Sequence, residues 1–245
     1  MSLSSRPVAG RAVARPRRFY KAVTTAPKDE GFAVLLDGRT PRTPGGKPLV
    51  APTQALAQLL AAEWDAQADF IQLDGMHAVR LANTVLDRIP EVRDETAAEV
   101  ARYAGADVLC YFAEHPASLV ARQQAEWGAI LDWAAADLGV EMRRVSGLLH
   151  QPQSDETLER VRALAAAEDD FALAGLAFAA PLFGSGILAL AVRRGRLTAP
   201  QAYELSRLDE AFQEERWGVD EDAGARTARL RDEAAMIGGW FAALT

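Results

Sequence analysis

FALAGLAFAAPLFGSGILALAV, residues 171–192, decides how the rest of the chain is read. It runs for 22 residues without a charge, and about 20 apolar residues suffice to cross a bilayer. Its three phenylalanines, five leucines, Ile187 and Val192 are together worth roughly −3 to −6 kcal/mol on an insertion scale, while its seven alanines add little. Against a span stand Gly175, Pro181 and the run Gly184-Ser185-Gly186, which interrupt a helix near its middle. Small residues at these positions suit close helix packing. The stretch predicts a buried, kinked or split central helix and no stable membrane insertion; a membrane-anchored adaptor is the reading it competes with.

Working outward, helical periodicity covers most of the chain. Pro52-Thr53 before an Ala/Leu run predicts an N-cap, with Leu56, Leu59, Leu60, Glu63 and Trp64 at helical spacing. The pattern returns over 76–89, over 90–104 with Pro90 at the start, and over 119–138 with Gly139 as a C-terminal stop. Further helices are expected at about 155–168, 171–193, 198–217 and 221–244. Only the N-terminal part reads differently. Runs at 19–25 and 31–36 are β-like, the second ending in Asp37-Gly38, a tight-turn pair. A breaker-rich stretch, 40–48, precedes one more short strand at Leu49-Val50. Two or three short strands cannot stand alone. The fold class expected is therefore α+β: a flexible basic arm over 1–17, a small β domain over 18–52, and a larger multi-helical domain over 53–245 packed against it.

Composition narrows function mostly by exclusion. The chain has 245 residues, 49% hydrophobic and 25% charged, which is that of a globular protein. A single cysteine, Cys110, rules out an internal disulfide framework and a multi-cysteine zinc site. Three scattered histidines offer no metal centre, and no cofactor motif is present: neither GxxxxGK[ST] nor GxGxxG occurs. The net charge of −7 is unevenly spread. Residues 1–28 carry seven bases and no acid, leaving 20 basic and 34 acidic side chains, a net of −14, in the remainder. Such an acidic body repels nucleic acid and is compatible with a protein partner that presents basic surface. The basic start lacks the apolar core of a secretory signal, and Pro7 and Pro16 interrupt any amphipathic transit helix. A bacterial cytoplasmic protein is expected, with the mitochondrial matrix as the alternative.

No catalytic set emerges. Cys110, amid apolar neighbours, reads as a small buried side chain, and His77 as a packing residue; a small hydrolase using Cys110 or His77 is the alternative function. What remains is surface. On a helical wheel Leu205, Leu208 and Phe212 share one face, with Tyr203, Arg207, Glu210 and Glu214 opposite. Residues 201–234 hold ten acids and five bases, including the cluster at 220–222. An aromatic ring beside unpaired carboxylates suits docking to a basic or polar partner, whereas a solvated helix laced by ion pairs is the plainer reading.

Seven stretches in order carry a resemblance: RFYKAVTT (18–25), LDGRTPRTP (36–44), AAEWDAQ (61–67), MHAVRLANTVLDR (76–88), DVLCYF (107–112), EWGAILDW (126–133) and LSRLDEAFQEERWG (205–218). Together they resemble the assembly chaperone family that handles the alpha subunit of the F-type ATP synthase in mitochondria and alphaproteobacteria. The resemblance implies a non-enzymatic protein, monomeric when free and without cofactor or metal. It would bind the unassembled alpha subunit and shield its interface until the beta subunit replaces it. It places the partner contact in the segment 206–218, with either Asp209 or Glu210 as the acidic contact; joined to the wheel face above, the partner-binding residues expected are Tyr203, Arg207, Asp209, Glu210, Gln213, Glu214 and Trp217. Trp64, Asp65, Asn83, Trp127 and Gly218 match family positions of structural character.

Overall fold

The computed structural model describes residues 16–147, 151–218 and 221–245, without the side chains of 221–226. The basic arm up to residue 15 and the acid cluster at 220–222 lie outside these side chains. The chain opens with an antiparallel sheet of β1 (Val23–Lys28), β2 (Gly31–Leu36) and β3 (Val50–Ala51), in the order β1-β2-β3. Lys28 pairs with Gly31, so the hairpin turns at Asp29-Glu30, with Asp29 at φ 52°. Asp37-Gly38 instead makes a second turn, at φ 47° and 79°, that returns Arg39 onto Leu36. The first strand begins later than the sequence suggests. The Asp37 carboxylate accepts from Lys21 N (3.1 Å) and Ala22 N (2.8 Å), which takes these amides out of any ladder.

The sheet lies on α1 (Gln54–Asp65), capped by Thr53 Oγ1 accepting from Leu56 N. Arg18 holds the other end of α1: its guanidinium donates to the Asp65 carbonyl (2.9 Å) and to that of Gln67, and pairs with the Asp65 carboxylate. A cation at the C-terminal end of a helix is favourable. Next come α2 (His77–Asp87), α3 (Arg93–Gly105), α4 (Ala117–Trp133), α5 (Asp155–Ala166), α6 (Asp170–Phe183), α7 (Gly186–Arg193), α8 (Ala199–Ser206), α9 (Leu208–Trp217) and α10 (Glu221–Ala242). A π-helical turn, Ala134–Leu138, extends α4 to Gly139 at φ 65°. Two two-residue strands, β4 (Tyr111–Phe112) and β5 (Val145–Ser146), pair in parallel; strands this short have no periodicity for sequence reading to find. One buried apolar cluster runs from Tyr20 and Val34 in the sheet region to Trp240 in α10. With the sheet at one end and helices forming the rest, the fold is α+β as expected.

The apolar stretch forms the centre of this cluster. It is split: α6 packs against α2, α3, α5, α7, α8 and α10 and ends at Gly184 (φ 60°), after which Ser185 caps α7 by accepting from Leu188 N. Among the described residues no helix is long and apolar enough to cross a membrane. Small residues set the packing distance. A Cβ on Gly175 would lie 2.6 Å from the Phe241 ring, and one on Gly186 would lie 2.8 Å from the Val100 carbonyl oxygen. The second clash is with backbone, which cannot swing aside. Gly186→Val should therefore destabilise the fold by about 1–3 kcal/mol, as overpacked cores do, lowering the thermal midpoint by roughly 3–10 °C. An unchanged midpoint by calorimetry would show that α3 and α7 can separate freely.

Two carboxylates, one half-buried and one fully buried, tie helices by their N-termini. Glu63 of α1 accepts from Ala78 N and Val79 N, both at 2.8 Å, at the start of α2. Burial raises its pKa despite these bonds. Asp107, fully buried, accepts from Ser185 Oγ (2.8 Å), Ile187 N (3.1 Å) and Leu109 N (3.2 Å), so one carboxylate holds the loop after α3 to the start of α7. Burial pushes its pKa up to about 7.

Candidate functional site

The expected continuous helix over 198–217 is broken. Arg207, at φ −112° and ψ 20°, separates α8 from α9. In an unbroken helix the Leu205 carbonyl would face the amide four residues on; here it accepts the Trp127 indole N–H at 2.8 Å. The break rotates α9 relative to α8 and separates residues that a single wheel places together. Tyr203, expected on the outward face, is only 1% exposed and packs in the core, its hydroxyl 3.4 Å from the Thr227 carbonyl. Arg207 is half-buried, donating to Glu214 at 2.8 Å and lying over the Tyr203 ring. Its charge is spent inside the chain.

α9 lies on α4 through alternating polar and apolar contacts. Leu208 and Phe212 are buried. Gln123, also fully buried, donates to Asp209 at 2.7 Å while its amide oxygen accepts from Ala113 N. Arg122 pairs with Glu215 at 2.9 Å, and Arg216 lies over the Phe212 ring, 4.3 Å from its centroid, and reaches Ser118 Oγ. Burial raises the Asp209 pKa against the Gln123 hydrogen bond. Asp209 is thus an anchor of α9 to α4, not a free acid.

The opposite face of α9 is open. Glu210 and Gln213 are exposed, Glu214 is half-buried beside Arg207, and Trp217 is 78% exposed. These positions follow i, i+3, i+4 and i+7 spacing, so they form one stripe. Glu210 makes no hydrogen bond or ion pair among the described residues. Gly218, at φ 87°, stops the helix directly after Trp217 and leaves the indole at its end. Of the two neighbouring acids, Glu210 is the one available to a partner.

The remaining sequence candidates are placed elsewhere. Trp64 is buried, stands edge-to-face on Tyr20 (5.7 Å between centroids), and lends its carbonyl to the Tyr20 hydroxyl; its indole N–H has no partner among the described residues. Asp65 is the exposed partner of Arg18. Trp127 supports the α8–α9 corner from inside. Cys110 is fully buried, and burial followed by the nearby Asp107 charge pushes its thiol pKa far up, which suppresses the thiolate a nucleophile needs. His77 and Asn83 lie apart from both, in a cleft of about 550 Å³ between α2, α6 and α10. The His77 ring makes no hydrogen bond among the described residues; the nearby Glu63 carboxylate interacts with its charge, but both oxygens of that carboxylate are taken by the Ala78 and Val79 amides. Asp107 and Glu63, the helix-tying acids, escaped sequence reading because their donors lie in distant segments.

Comparison with known proteins agrees with this architecture. The model of a family described as ATP12 chaperone protein matches residues 17–135. Protein atp12, mitochondrial, of Schizosaccharomyces pombe is 25% identical over 219 residues, covering 84% of this chain and 75% of that protein. The crystal structure of Atp12 from Paracoccus denitrificans superposes with a TM-score of 0.86 at 40% identity, over 94% of this chain and 99% of that one. The Atu1473 protein of Agrobacterium tumefaciens superposes with a TM-score of 0.88, also at 40% identity, over 94% of this chain and 87% of that one. Identity at this level, sustained over nearly whole chains that share one fold, means that the chain belongs to the ATP12 chaperone family.

Proposed function

We propose that this protein is an assembly chaperone that binds the unassembled alpha subunit of the F-type ATP synthase and shields its subunit interface until the beta subunit takes its place. An isolated subunit of an obligate hetero-oligomer exposes a large apolar interface prone to aggregation. Covering that surface requires no bond making, and a Cys110 thiol that burial keeps protonated has no part in it. The names of the relatives supply the chaperone role. The observation that carries the site is the stripe on α9, where Trp217 stands bare beside Glu210, Gln213 and Glu214.

In this reading Trp217 is the apolar anchor, Glu210 meets a basic group of the client, and Gln213 adds an uncharged donor and acceptor. Arg207, Asp209 and Trp127 hold the platform from behind; Tyr203 belongs to the core. Glu210→Lys is expected to weaken the complex with isolated alpha subunit by about tenfold or more, since reversing a contact charge turns an attraction into a repulsion. Helix content by circular dichroism should not change, because Glu210 is exposed and makes no hydrogen bond or ion pair among the described residues. A titration giving wild-type affinity for this variant removes Glu210 from the site, and no binding by the wild type removes the client.

A further inference from the structure

The cleft between α2, α6 and α10 has a composition at odds with the rest of the molecule. Two of the resemblance-carrying stretches, 36–44 and 76–88, meet at its edge, where Asp87 accepts from Thr43 Oγ1 (2.6 Å) and Gly45 N (2.8 Å). Arg80, Asn83 and Asp87 project from α2 at i, i+3 and i+7, Arg88 follows as its C-terminal cap, and all four line the cleft. Its two acids are already engaged: Asp87 as just described, and Glu233 by Arg229 at 3.0 Å. The cations of α2 are not. Arg88 makes no side-chain hydrogen bond or ion pair among the described residues, and Arg80 has only a 3.4 Å contact with the Asp74 carbonyl. The half-buried Asn83 amide is also unbonded among them. Half-buried Phe178 and buried Leu81 give the cleft an apolar part.

We infer that this cleft binds an acidic polypeptide segment carrying an apolar side chain between two carboxylates. In a chain of net charge −7, a cleft lined by three arginines (Arg80, Arg88, Arg229) against two acids (Asp87, Glu233), net +1, favours negative charge beside its apolar patch. Arg80 and Arg88, the cap of α2, are eight positions apart, about 12 Å if measured along the helix axis, which an extended chain spans in roughly four residues. Guanidinium forks suit carboxylates, the Asn83 amide suits a peptide group, and Phe178 with Leu81 suits the apolar side chain between. The segment belongs to the client, so the inference rests on the chaperone reading and gives that client a second contact. The two surfaces connect through α10, which carries Arg229 and Glu233 into the cleft and joins α8 through Arg231–Glu204 (3.1 Å).

The probe is a fluorescein-labelled peptide containing EALAE, with KALAK as the charge-reversed control, titrated by anisotropy against the full chain. Saturable binding of EALAE that is weakened about tenfold or more in the R80E/R88E double variant, with none of KALAK, is the expected result. Both arginines are exposed, and an unchanged thermal midpoint establishes that the variant is folded. Indifference of EALAE binding to the double variant overturns the site. Displacement of the peptide by an equal concentration of inorganic phosphate overturns the polypeptide assignment in favour of a small-anion site. Titration with isolated alpha subunit separates the two proposals. If Glu210→Lys weakens that complex and R80E/R88E does not, the cleft falls and the chaperone reading stands. If wild type binds EALAE but not the alpha subunit, the cleft's chemistry stands and the client is wrong.

Discussion

Trp217→Ala is expected to weaken client binding by about 30-fold or more while leaving the unfolding midpoint where it was. Large aromatic side chains at the centre of a protein interface are commonly worth about 2 kcal/mol or more on truncation to alanine, and 2 kcal/mol is roughly 30-fold in affinity. Trp217 is 78% exposed, so removing it takes little buried surface from the folded chain. Surface substitutions of this kind shift stability by only about 0.5 kcal/mol. A fully buried tryptophan would behave the opposite way: Trp127→Ala would lose the indole bond to the Leu205 carbonyl and destabilise the corner that presents α9. Measuring both variants by titration and by thermal unfolding separates contact from support. A Trp217→Ala protein that binds the alpha subunit as tightly as wild type would leave α9 without its anchor.

A second large effect is on pH dependence, and its source is Asp107. The carboxyl titrates near 3.9 in an unfolded chain and is pushed up to about 7 in the folded one by burial. Below the lower value both states hold the proton, so nothing changes there. Between the two the folded state keeps it and the unfolded state does not, so stability falls as pH rises, by about 1.4 kcal/mol per unit. Above about pH 7 the loss is complete. From pH 4 to 7 the total comes to about 4 kcal/mol. Glu63 and Asp209, also raised by burial, act in the same direction at the acid end of this range. Denaturant unfolding at pH 5 and at pH 8 should therefore show the higher midpoint at pH 5. In Asp107→Asn the gap should shrink strongly, since an amide does not titrate, although the amide nitrogen must face one of the donors the carboxylate now serves. A variant with the full wild-type gap would assign the slope to other groups.

How much of this was legible beforehand depends on where the physical cause lies in the chain. Breaks whose cause is local were readable: Gly184-Ser185 within the apolar stretch, Thr53 at the start of α1, Gly139 after α4. Each acts through its own backbone or the next few amides. The break at Arg207 was not readable, because residues 198–217 contain no interior glycine or proline after the first turn. Its partners, Trp127 and Tyr203, act across the fold. The misplacement of Tyr203 follows directly, since a wheel assumes a helix that does not bend. Asp107 and the cleft were missed for the same reason: a carboxylate whose donors sit about 80 positions away, and cations whose neutralising acids are occupied by another segment, leave no local pattern. Glu210 and Glu214 lie within one helix, so their shared face shows in the sequence; Trp217 is named there by the resemblance alone.

The interruption at Gly184 has a further consequence during synthesis. An unbroken rod of 22 residues would measure about 33 Å, enough to traverse the hydrocarbon of a membrane, which is about 30 Å thick. As separate helices of 14 and 8 residues the halves reach about 21 and 12 Å. The hinge that lets this greasy segment double back into a protein interior also withholds from the ribosome's neighbouring insertion machinery a rod of spanning length.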